Sequence, residues 1–293
     1  MKKNRLLQIA TSDGLYLHGY YVPSEDKKVG ILHIHGFEGN FYENNFVHIL
    51  IDEMEKNNIG FLTVNTRGNG RDTDFNTTDG KYRKIGARYE LLEESHLDIT
   101  AWLKFLIEEG YKEIVLMGHS LGTIKAVRYL FEGELKEKVN KLILLAPFDK
   151  KGYMIVQKLN TEELLLKAQK MVDEGNGDEL ITPEFGDGIT SYKTFISWYK
   201  QDDLGRMFEF SSPNYDFPIL KQIHIPTKII VGSIDEYFYP TNPEHPEEAM
   251  GLLLKNISNS KGKIVEGSVH SFRHHEDIMV KEVSSFILSN NEK

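Results

Sequence analysis

Ser120 stands at the centre of Gly118-His119-Ser120-Leu121-Gly122, a Gly-x-Ser-x-Gly pentapeptide. Glycines on both sides of a serine let a strand and a helix pass close together through a sharp turn, which lifts the hydroxyl above a sheet edge, ready to attack a carbonyl carbon. The alternative is a serine in an ordinary tight turn. The flanks favour the first reading: the apolar run Glu113 to Met117 precedes the pentapeptide and the helix-like run Thr123 to Leu130 follows it. A serine hydroxyl is a poor nucleophile near neutral pH, so it needs a general base and a group that orients the base.

For a strand-turn-helix nucleophile the expected chain order is serine, acid, histidine. Asp235 follows the strand-like run Lys228 to Val231 in Gly232-Ser233-Ile234-Asp235, beyond a strand's carboxyl end, where ligands gather in open α/β sheets. Glu236 and Asp149 are the other carboxylates in suitable positions, and Asp235 could instead be only a turn former. His270 lies in Gly267-Ser268-Val269-His270-Ser271-Phe272, between a probable strand, Lys263 to Val265, and the last helix. His274 and His275 are placed in the first turn of that helix and toward solvent. The oxyanion of an acyl-transfer intermediate needs two donors. Leu121 N–H, next to the serine, is one candidate; the loop His35-Gly36-Phe37-Glu38-Gly39 supplies the other, Phe37 N–H, with Glu38 the near alternative. His33 and His35 share a strand face, but no third ligand stands at metal spacing beside them.

The elements that must position these groups alternate along the chain: Val29 to Ile34, Phe41 to Glu55, Gly60 to Val64, Leu91 to Glu108, then Ile114 to Met117. Short β-branched runs alternating with longer amphipathic ones indicate βαβ units and a parallel sheet covered on both faces. Further strands are expected at Lys141 to Ala146 and Lys228 to Val231. Leu6 to Ala10 and Leu15 to Tyr21, split by Ser12-Asp13-Gly14, read as an opening hairpin, and Met279, Val283, Phe286 and Ile287 mark one face of a closing helix. About eighty residues between Pro147 and Lys228 break the alternation. They hold a capped helix, Thr161 to Val172, with Glu163 supporting its start, a turn-rich stretch from Gly175 to Gly188, and an aromatic segment with Tyr192, Phe195, Trp198 and Tyr199. These aromatics either pack the insertion onto the main domain or line a lid over the site.

Bulk composition removes several classes of function. A formal net charge of -9 disfavours nucleic acid or an anionic membrane as the main partner, since both require clustered positive charge. With no cysteine there are no disulfides, thiolate metal sites or cysteine nucleophile. No window approaches the length of a membrane span or a secretory leader, so a cytoplasmic protein is expected.

Taken in order, His35-Gly36, Arg67-Gly68-Asn69-Gly70-Arg71, the serine pentapeptide, Asp235 and His270 resemble the α/β-hydrolase superfamily across nearly the whole chain. The resemblance implies an α/β fold with a mostly parallel eight-stranded sheet, helices on both faces and a helical lid inserted after strand 6. It divides the chain into a core of residues 1–148 and 227–293 and a lid of residues 149–226. It also implies a Ser-His-Asp triad of Ser120, His270 and Asp235. Ile189-Thr190-Ser191-Tyr192, Met207-Phe208-Glu209-Phe210-Ser211-Ser212 and Asp235-Glu236-Tyr237 are similar to a branch related to siderophore esterases. The oxyanion loop departs from the Gly-Gly pattern of the hormone-sensitive-lipase group, and a serine nucleophile sets the chain apart from epoxide hydrolases and haloalkane dehalogenases, which use aspartate. The expected activity is hydrolysis of a small-molecule carboxylic ester through an acyl-enzyme, without cofactor, by a monomer or homodimer. Thioesterase, amidase or acyltransferase chemistry on the same triad, and a catalytically silent binding protein, are the alternatives.

Overall fold

The computed structural model describes residues 4–182, 189–212 and 214–289. Eight strands form one sheet: β1 (Arg5–Ala10), β2 (Tyr16–Val22), β3 (Val29–Ile34), β4 (Gly60–Val64), β5 (Glu113–His119), β6 (Val139–Leu145), β7 (Thr227–Gly232) and β8 (Ser260–Val265). Their spatial order is β1-β2-β4-β3-β5-β6-β7-β8. β2 pairs antiparallel with both β1 and β4, and every pairing from β4 through β8 is parallel. Strands covered on both faces need continuous apolar runs rather than alternation, and every residue of β3, β4 and β7 is buried accordingly.

The sheet separates two cores. One face carries α1 (Asn45–Lys56) and α8 (Glu276–Leu288), which bury Phe46, Leu50, Met279, Val283 and Ile287 against Ile31, Phe61 and Val115. On the other lie α2 (Ser95–Glu108), α3 (Leu121–Glu132) and α7 (Pro246–Asn256), packing Trp102, Leu106, Ile124, Val127 and Leu253 on Leu32, Leu116 and Leu144. Full burial of each such side chain contributes about 1.5–3 kcal/mol. Because the central strands are parallel, the loops leaving β3 through β8 all emerge at one edge, including those of Phe37, Ser120, Asp235 and His270.

Between β6 and β7 the described residues fold as α4 (Lys150–Val156), α5 (Thr161–Asp173), α6 (Tyr192–Trp198) and a short 3-10 turn at Leu220–Gln222. The cap of α5 is Asn160, whose side chain accepts the Glu163 N–H at 3.2 Å; the helix start thus rests on the residue before Thr161. Residues 183–188, the end of the turn-rich stretch, lie outside the described residues. Elsewhere the structure shifts some boundaries. α1 starts at Asn45 rather than Phe41, because the Asn40 side chain accepts the N–H groups of Tyr42 and Glu43 and makes a turn first. His274 and His275 precede α8 instead of occupying its first turn: His275 is the N-cap position and His274 has φ 69°. A small exposed hairpin, Asp74–Asn76 against Tyr82–Lys84, and the helices α4 and α7 have no counterpart among the elements expected from sequence.

Candidate active site

The turn at Ser120 is tight because two glycines let backbones touch. A Cβ on Gly118 would collide with the backbone of Gly122, and one on Gly122 with the carbonyl oxygen of Ile34 in β3. Ser120 itself is held at φ 54°, ψ −123°, a conformation that costs a non-glycine residue about 1–3 kcal/mol. Surrounding bonds maintain it: Ser120 N–H donates to Leu145 O at 2.9 Å, and Ser120 O accepts from Thr123 N at 2.9 Å and Thr123 Oγ1 at 2.6 Å. Leu121 opens α3, so its N–H is one of the free donors at a helix N-terminus.

Asp235 and His270 come together across the loops after β7 and β8. Those loops are laced by Ser233 N–H to Val265 O at 3.0 Å, Ile234 N–H to Ser268 O at 3.0 Å and Gly267 N–H to Ser233 Oγ at 2.8 Å. Asp235 is buried, and three donors converge on its Oδ1: His270 Nδ1 at 2.8 Å, Tyr237 N at 2.9 Å and Phe238 N at 3.1 Å. A carboxylate at Nδ1 fixes the proton there and leaves Nε2 as the free, basic nitrogen. His270 and Ser120 line the same cavity, with no direct hydrogen bond between them among the described residues. Such contacts often tighten only when substrate is bound.

His119, the residue before the serine, secures the His270 loop by donating Nε2–H to the His270 carbonyl at 3.0 Å. Burial, reinforced by the neighbouring His270, lowers its pKa to about 4, so it stays a neutral donor. The other sequence candidates are elsewhere. Asp149 caps α4, accepting from Gly152 N at 2.8 Å and Ser211 N at 3.3 Å, and burial raises it to about 7. Glu236 is exposed and, among the described residues, reaches only the His270 backbone N–H, at 3.4 Å.

The loop after β3 lies directly over the serine: a Cβ on Gly36 would stand 2.8 Å from Ser120 Cβ. Neither Phe37 N–H nor Leu121 N–H has an acceptor among the described residues. Glu38, the alternative donor, has φ 55° and its carboxylate is paired with Arg71 at 2.8 Å. Asn69 Nδ2 donates to Gly39 O at 3.1 Å, so the Gly-rich segment after β4 braces this loop. Arg67, fully buried, anchors that segment through Asp98 at 2.9 Å and Glu94 at 2.5 Å. His33 and His35 do not act as a pair: His33 bonds Thr63 Oγ1 at 3.1 Å, whereas His35 bonds Gly36 O at 2.7 Å and Thr66 N at 3.0 Å.

A cavity of about 400 Å³ opens over Ser120. Phe148, Tyr153, Trp198 and Tyr199 line it from the segment between β6 and β7, and Phe37 and Tyr237 from the sheet edge. The Phe37 and Trp198 rings meet edge to face at 5.3 Å, as do Tyr237 and His270 at 4.8 Å. Sequence reasoning missed the bracing roles of His119, Asn69 and Arg67. The signal for the last two was the Arg-Gly-Asn-Gly-Arg run itself, since glycine beside a buried charge marks a close backbone approach: a Cβ on Gly68 would strike Glu90.

Comparison with known proteins agrees with this fold. Residues 87–209 match a family described as "Protein of unknown function (DUF1749)". A Mycoplasma pneumoniae protein named "Putative esterase/lipase 2" is 25% identical over 249 residues, 84% of this chain and 83% of that protein. Est1E from Butyrivibrio proteoclasticus, solved with ferulic acid bound, superposes with TM-score 0.65 at 18% identity, covering 98% of this chain and 100% of that one. The Pyrococcus furiosus esterase Pf2001 gives TM-score 0.59 at 16% identity, covering 97% and 92%. The chain has the α/β-hydrolase fold.

Proposed function

We propose that this α/β-hydrolase is a carboxylic-ester hydrolase that works through an acyl-enzyme on Ser120. The observation that supports it most is the joint placement of a strained, glycine-flanked serine and a carboxylate-bound histidine on one cavity. His270 Nε2 takes the Ser120 proton as Oγ attacks the ester carbonyl, and Asp235 stabilises the imidazolium that forms. Phe37 and Leu121 N–H groups receive the oxyanion. His270 then protonates the departing alcohol, and a water activated by the same nitrogen releases the acid. The esterase names of the Mycoplasma relative and of the structural neighbours support ester rather than amide or thioester bonds.

Residues 149–226 act as the lid in this reading, since Tyr153, Trp198 and Tyr199 of that segment line the cavity. An engineered cavity of about 150 Å³ accepts benzene, so about 400 Å³ lined by six aromatic rings suits an ester with a compact apolar or aromatic group. Among the described residues no helix is long and apolar enough to cross a membrane. One copy of the chain supplies every proposed site residue, so a monomer or homodimer would serve. The test is hydrolysis of p-nitrophenyl acetate and butyrate by the wild type and Ser120→Ala. Loss of turnover together with loss of fluorophosphonate labelling is expected, and equal rates would refute the assignment.

A further inference from the structure

The planar trans peptide between Gly36 and Phe37 joins two groups that must point in opposite directions, the Gly36 carbonyl and the Phe37 N–H. The carbonyl is pinned: His35 Nδ1 donates to it at 2.7 Å and Gly39 N–H at 3.3 Å. Its partner N–H is therefore directed away from His35, and Gly36 itself packs on Ser120, with a Cβ position 3.4 Å from Oγ. The tautomer of His35 follows from its neighbours. Gly36 O can only accept, so Nδ1 bears the hydrogen; Thr66 N–H can only donate, so Nε2 offers its lone pair, at 3.0 Å.

Behind the ring lies a buried charged pair that the mechanism above does not use. Thr66 Oγ1 is 3.1 Å from His35 Nε2 and 3.2 Å from Lys125 Nζ, which pairs with Glu90 at 2.6 Å. Neither side chain of the pair has any exposed surface. Lys125 can only donate to Thr66 Oγ1, so the hydroxyl hydrogen is left for His35 Nε2, whose lone pair it shares with Thr66 N–H. All donors in the series run one way, from the ammonium toward the Gly36 carbonyl, and aligned hydrogen bonds in a dry interior polarise one another.

We propose that His35 is a positioning residue for the oxyanion site: seated between the Lys125–Thr66 pair and the Gly36 carbonyl, its ring aims and polarises the Phe37 N–H. The inference rests on the hydrolase reading. Burial and the Lys125 cation also hold the His35 pKa well below the ordinary imidazole range, so the ring keeps its pattern across the working pH range.

The test compares wild type with His35→Leu, which removes both ring nitrogens, and His35→Asn, whose amide N–H can replace Nδ1–H. With p-nitrophenyl acetate, His35→Leu should lower kcat roughly 10- to 100-fold with KM within about threefold, somewhat less than deleting an oxyanion donor. Affinity for a trifluoromethyl ketone, whose adduct puts an alkoxide in the same place, should fall by a similar factor, and His35→Asn should recover most of both. Wild-type kcat in His35→Leu, or a loss that His35→Asn does not recover, overturns the proposal. A measurement on the unaltered protein guards against misfolded variants: with 15N-labelled histidine, His35 should be an Nδ1–H tautomer, and the commoner Nε2–H form would overturn it. Full turnover by Ser120→Ala would instead refute the hydrolase reading, which the tautomer does not test.

Discussion

Replacing Asp235 by asparagine separates two contributions of the carboxylate. Two backbone donors, from Tyr237 and Phe238, converge with His270 Nδ1 on Oδ1, while Oδ2 is buried with no partner among the described residues. An asparagine must present its carbonyl oxygen where those N–H groups point and its NH₂ in the Oδ2 position. His270 therefore keeps an acceptor at Nδ1, and its tautomer survives. What is lost is the attraction between a carboxylate and the imidazolium formed as Ser120 gives up its proton. For unit charges about 4 Å apart at an effective dielectric of about 20, that attraction is worth about 4 kcal/mol. A neutral acceptor returns about 1 kcal/mol. The net loss of roughly 2–4 kcal/mol corresponds to a kcat about 30- to 1000-fold lower. The assay is steady-state hydrolysis of p-nitrophenyl acetate by folded Asp235→Asn, with Asp235→Ala and Ser120→Ala alongside. Asp235→Ala should fall further, because it also strands two backbone N–H groups. A loss in Asp235→Asn as deep as in Ser120→Ala would show that the tautomer had flipped and refute this reasoning; wild-type turnover would remove Asp235 from the site.

Asp149 offers a pH test. Its folded pKa is raised, chiefly by burial, from 3.8 to about 7, so the folded state binds the proton more tightly. Stability from this group is full below about 3.8 and is lost as pH rises to about 7, a change of roughly 4 kcal/mol. Asp149→Asn, which keeps an acceptor for Gly152 N–H, should raise the thermal midpoint at pH 8 and leave it nearly unchanged at pH 4; an equal change at both would contradict the buried carboxylate. Gly122→Ala drives a Cβ into the carbonyl of Ile34, which is backbone and cannot swing aside. Overpacking of this kind costs about 1–3 kcal/mol or more, so chemical denaturation should show that loss together with near-complete loss of esterase activity. Retention of both would mean that α3 and β3 are not so closely apposed.

The sheet was readable because buried parallel strands advertise themselves: Val29 to Ile34 and Gly60 to Val64 are apolar runs broken only by His33 and Thr63, and the structure ends both strands there. The exposed hairpin Asp74–Asn76 with Tyr82–Lys84 lacks that signal, since its strands are three residues long and mostly solvated. Helix α7 did carry a signal, Pro246 followed by Glu247 and Glu248 at a helix start, which sequence reading passed over. Ser120, Asp235 and His270 were legible because each follows a strand at the same sheet edge. Contacts such as His119 with the His270 carbonyl, or Asn69 with Gly39, join segments distant in sequence through backbone atoms, and residue types alone do not specify a backbone partner.

β6 and β7 are neighbours in the sheet, yet everything from Ala146 to Pro226 is inserted between them. The chain must therefore close a long loop before β7 can pair, and each doubling of loop length adds about 0.6 kcal/mol of entropy to that step. Until it does, β6 presents an unpaired apolar edge, the kind of surface on which other chains nucleate aggregates. During synthesis Ser120 emerges 150 residues ahead of His270. At typical elongation rates that is about 8–30 s in which the serine turn exists without His270. On the proposed mechanism the nascent protein is chemically silent while it is most exposed, and reactivity and compactness arrive together when the last strands close.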